Sequence, residues 1–82
     1  MMVLKYLSGE EVKKGDHVLF HGEPGRIEFV ASHLGDPETD WFMREYGGGV
    51  MVLERETSRT FIPADQLDDE EDLKFVSRAN SS

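Results

Sequence analysis

An 82-residue chain with 9 Lys and Arg against 17 Asp and Glu carries a formal net charge of −8, which disfavours phosphate backbones and anionic membranes as partners. It holds no cysteine, which excludes disulfides, thiolate catalysis and Cys-type zinc sites together. The length suits one domain that buries only about 60–65% of the surface its unfolded form exposes, so the hydrophobic core must hold the fold unaided.

The start, MMVLKYLSGEE, lacks the apolar region and small-residue cleavage site of a signal peptide. No apolar run approaches the roughly 18–20 residues that span a bilayer, so the expectation is a cytoplasmic protein with no membrane partner. Residues 2–7 predict a short edge strand, and Ser8 with Glu11 fits an S-x-x-E capping box over a single turn. Gly15-Asp16 launches a strand over 17–21, in which Val18 and Phe20 alternate with His17, Leu19 and His21. Gly22 to Gly25, GEPG, reads as a turn longer than two residues. A second strand follows over 26–32, with Ile27, Phe29 and Ala31 on one face and Arg26, Glu28, Val30 and Ser32 on the other.

Asp36-Pro37 predicts a helix start, Asp as N-cap and Pro at the first helical position, with Gly47 as the stop. Trp41, Phe42 and Tyr46 cannot share one narrow face of that helix, which suggests a segment wedged over an open barrel end. Strands are expected over 50–54, 60–62 and 73–76, with RETSR as a turn, Pro63 as a stop and the DDEED run (68–72) as a solvated loop. The sum is a mainly β chain: a small antiparallel SH3-like barrel of about five strands with a short helical insertion. Residues 1–78 form the domain and 79–82 a disordered tail.

The stretch EEVKKGDHVLFHGEPGRIEFV resembles the first half of SH3-like and KOW-type barrels, in which a Gly-Asp opens a strand and a Gly ends a turn. The whole chain is similar to a group of small stand-alone bacterial proteins that share a YLSGEEVKxGD start, a DW…GGGVM middle and a DDEEDLxFVSR end. The resemblance implies the fold and assigns no activity. KOW domains bind RNA or polymerase through basic loops, whereas the corresponding loops here hold Glu23, Asp36, Glu38 and Asp40.

No motif reaches the strength of a catalytic, cofactor or metal site. His17 and His21, four apart in one strand, would lie about 13–14 Å apart, too far to share an ion. DDEED lacks the D-x-D-x-D-G spacing of a calcium loop, and Gly47-Gly48-Gly49, which precedes a strand without the Lys of a phosphate loop, reads as a helix stop and a loop that needs positive φ or close backbone approach. The aromatics carry the remaining interest, since such residues either fill cores or anchor interfaces. A core plug is the expectation for Trp41, leaving Tyr46 or the glycine lip to face a partner. The candidate partner-binding set is Trp41, Phe42, Tyr46, Gly47, Gly48, Gly49, Asp36, Glu38 and Asp40. The functional expectation is a non-catalytic protein-binding module without cofactor or nucleic-acid partner. An immunity- or antitoxin-type inhibitor acting through an acidic surface is one form of it, and the alternative is an RNA- or ribosome-associated KOW-type barrel.

Overall fold

The computed structural model describes residues 3–55, 58–67 and 69–78, so the tail expected at 79–82 lies outside the described residues. The strands are β1 (His17–Phe20), β2 (Glu23–Ala31), β3 (Gly49–Glu54), β4 (Ser58–Pro63) and β5 (Leu73–Ser77). Helix α1 (Asp40–Tyr46) joins β2 to β3, and a four-residue helix α2 (Ala64–Leu67), which the sequence did not predict, leads out of β4. All five strands make one antiparallel sheet in the order β4-β3-β2-β1-β5, the expected small barrel-like architecture. Residues 3–7 form no strand; only a single bridge joins Lys5 to Glu11. Ser8 pairs with the Glu10 carboxylate and not with Glu11, so the capping box does not form.

The β1–β2 turn is shorter than expected. Phe20 pairs with Glu23, which leaves His21 and Gly22, both at positive φ (53° and 79°), as a two-residue connection. Positive φ at both positions gives the twist that suits a tight hairpin. Pro24 and Gly25 therefore belong to β2. Pro24 sits opposite Leu19, and β2 pairs with β3 only from Gly25 onward, so the N–H that proline lacks has no ladder partner to lose.

A second departure reorients half of β2. Ile27 pairs with Val52 and Phe29 with Met51, leaving Glu28 as a bulge. One extra residue in a period-two pattern moves every later side chain to the opposite face. Ile27 and Val30 thus face the core, while Phe29 and Ala31 turn to the outside of the sheet, contrary to the alternation read from the sequence.

The core gathers Val18, Phe20, Ile27, Val50, Val52 and Ile62 from the inner faces of the strands. Leu4, Tyr6 and Val12 come from the N-terminal segment, and Leu67 of α2 is 1% exposed. The helix that feeds this core is therefore α2, since α1 holds no buried residue. Gly49 is the tightest point: a Cβ there would stand 2.3 Å from the Ile62 carbonyl oxygen and 2.6 Å from Phe61 Cζ.

Among the described residues, one charged group is buried with the core. Asp16, 1% exposed, accepts through Oδ2 from the Tyr6 hydroxyl (2.6 Å), the Lys13 backbone N–H (2.9 Å) and Arg78 Nη1 (2.8 Å). Arg78 also donates to the Glu11 carbonyl (2.6 Å) and lies 4.8 Å over the Phe75 ring. Ion pair, hydrogen bonds and cation–π contact together close the N-terminal segment onto the end of β5. Burial, and then the hydrogen bond to Asp16, push the Tyr6 hydroxyl well above the usual phenol range.

Candidate functional site

The acidic loop before α1 is built by its own carboxylates. Asp36 Oδ1 accepts from the Glu38 N–H (3.0 Å), and its carbonyl accepts from Thr39 and Asp40 (3.0 and 2.9 Å). This Asx turn uses up Asp36, so the helix starts later than predicted, with Thr39 as N-cap and Asp40 as its first residue. Asp40 Oδ1 in turn accepts from the Gly35 and Asp36 N–H groups (2.9 and 3.1 Å). The expected stop is observed: Gly47, at φ 74°, caps α1 through an N–H bond to the Met43 carbonyl.

Helix α1 lies on the outer face of β2, β3 and β4. Phe42 stacks on Phe61 of β4 (4.6 Å between centroids) and meets Phe29 of β2 (5.1 Å). Trp41 packs edge-on against Phe42 (5.0 Å) and Tyr46 (5.8 Å), and Tyr46 also meets Phe61 (5.0 Å). Trp41 stays 53% and Tyr46 48% exposed. Trp41 is therefore no plug. It stands on a ledge whose base, Phe29, Phe42 and Phe61, is fixed to the sheet.

Of the nine candidate residues, this geometry brings Trp41, Phe42 and Tyr46 together. Asp36 and Asp40 shape the loop, and Glu38 stays exposed beside it. Gly47 is the cap. Gly48 and Gly49 are buried at positive φ, and the close backbone approach expected of these glycines is found at Gly49, a packing residue. Phe29 and Phe61 complete the cluster unforeseen, Phe29 because the bulge reverses its face.

The histidines do not assemble. His17 stands in β1, His21 in the turn with Nδ1 3.2 Å from Asp72 Oδ2, and His33 beside Ser32 in the loop before α1. Among the described residues no group of three or more His, Asp or Glu converges as a metal site. No helix among them is long and apolar enough to cross a membrane.

The rest of the outer face differs in character. His17, Arg26, Leu53 and Arg59 form one cross-strand row over β1 to β4. Two adjoining grooves of about 630 and 240 Å³ share Arg26. Arg59 pairs with Glu28 (3.0 Å) and Arg55 with Glu23 (2.7 Å). The Arg55 hydrogen bond, and then its charge, hold the Glu23 carboxyl below its usual range.

Compared with known proteins, the chain matches no family model, no curated protein and no solved structure.

Proposed function

We propose that this chain is a non-catalytic, cytoplasmic interaction module with an SH3-like barrel, and that it binds a basic protein partner on the α1 ledge. The observation that carries this reading is the Trp41–Tyr46 pair, half exposed yet held edge-on over a packed aromatic base. Large aromatics held in place lose little conformational freedom on binding and rank among the commonest interface anchors. Exposed Glu38 and Glu45 flank the ledge, and the net charge of −8 would steer a cationic segment toward it. An inhibitor that presents carboxylates to the basic active site of a toxin or nuclease is the form of module this combination suits.

Affinity capture from native lysate with the wild type beside a Trp41→Ala/Tyr46→Ala variant tests the reading. The expected result is a basic protein retained by the wild type and weakened roughly 30-fold or more by the double variant, as for a hot spot of about 2 kcal/mol or more. A partner held equally by both proteins, or retention that disappears on nuclease treatment, would overturn it.

A further inference from the structure

The bases of this acidic chain are unevenly placed. Among the described residues, the bases Lys14, Arg26, Arg55 and Arg59 line the two outer-face grooves, together with the acids Glu28 and Glu38. The larger groove is lined by three of these cations, by both acids and by Gly15, Ile27 and Phe29. Glu28 is already engaged by Arg59, whereas Lys14 and Arg26 make no ion pair among the described residues. Arg26 and Arg59 occupy one cross-strand row with Leu53 between them, about 9–10 Å apart at the backbone. Side chains of that length can close on one anion from opposite walls, and a guanidinium offers paired donors that match phosphate oxygens.

From this we infer that the groove between the Lys14-Gly15 turn, β2 and β4 is a binding site for a small phosphate-bearing molecule. Its phosphate is held by Lys14, Arg26 and the free edge of Arg59. The space, about 630 Å³, exceeds what a lone phosphate fills and falls in the range of small-ligand sites, so the ligand is a phosphate ester with an organic portion. Phe29, half-buried in the same wall, offers that portion an apolar surface. The site shares Glu38 with the edge of the α1 loop and Phe29 with the base of the ledge but requires neither Trp41 nor Tyr46, so variants at those two residues test the ledge separately.

Titration of nitrogen-15-labelled protein with inorganic pyrophosphate and with adenosine diphosphate, at constant ionic strength, tests the site. Saturable shifts at Gly15, Arg26, Glu28 and Arg59 are expected with both probes, with the nucleotide binding more tightly. Lys14→Gln/Arg26→Gln should weaken both at least tenfold, and Lys5→Gln, outside the groove, should leave them unchanged. Shifts that stay linear to high concentration, or that are equal in the groove variant, would overturn the proposal. So would binding confined to a 20-mer oligouridylate with a steep salt slope, which would mark the strip as a polyanion surface.

Discussion

The clasp at Asp16 and the ledge on α1 solve opposite problems. At the clasp a carboxylate is taken almost wholly out of water, and its Oδ2 accepts from Tyr6, Lys13 and Arg78. On the ledge five aromatic rings pack together, yet the two largest polar-tipped ones are left half in solvent. A buried charge is costly unless its partners are complete, so the clasp tolerates no loss. Exposed rings contribute little to folding and remain available for other contacts. The residues that hold the fold and the aromatics left open to contact are thus different residues of the same small chain.

The sharpest way to break that contrast is Asp16→Ala. It strands the Tyr6 hydroxyl and the Arg78 guanidinium and should cost about 3–5 kcal/mol in urea unfolding, a large share of the roughly 5–15 kcal/mol typical of a domain. Arg78→Ala acts on the same point from a side chain one-third exposed, so a smaller loss of about 1.5–3 kcal/mol is expected. If Arg78→Ala proved neutral, the clasp would reduce to the Tyr6 and Lys13 bonds.

Gly49→Ala comes next. The added methyl meets the Ile62 carbonyl, and the backbone there has φ 154°, so about 2–4 kcal/mol should be lost. Substitution without effect on the unfolding midpoint would remove Gly49 from the close-packed positions.

Alkaline unfolding probes the Tyr6 hydroxyl at the clasp. Tyr6 has a hydroxyl pKa raised on folding, so its contribution is complete below the ordinary phenol value near 10 and declines as pH rises beyond it. Stability of the wild type should fall more steeply above pH 10 than that of Tyr6→Phe. Parallel pH profiles for the two proteins would remove Tyr6 from the buried network.

The smallest effect belongs to the ledge. Trp41→Ala should change stability by less than about 1 kcal/mol, and emission from this single tryptophan should be red-shifted and readily quenched by iodide. A loss of 3 kcal/mol or more, the range of large core truncations, would erase the distinction between ledge and core.

What the sequence determined by itself is the local part of the fold. Val18 and Phe20 alternate over too short a span for anything but a strand, Gly47 stops α1 because it adopts φ 74° without cost, and the DDEED acids after Leu67 are too charged to bury. Each of these depends on neighbours within a few positions. Tertiary structure decided everything that needed a partner across the chain. The Glu28 bulge, invisible to a period-two count, turns Phe29 outward to meet Phe42 and so converts the expected plug into a ledge. Asp16 reads in the sequence as a strand-opening turn residue, and only folding brings it to Arg78, 62 positions away. Arg26 and Arg59 look scattered singly among acids, and the β2–β3–β4 register alone places them in one row. Alternation and turn chemistry are short-range properties of the chain, whereas bulges, buried ion pairs and surface charge depend on which strands become neighbours.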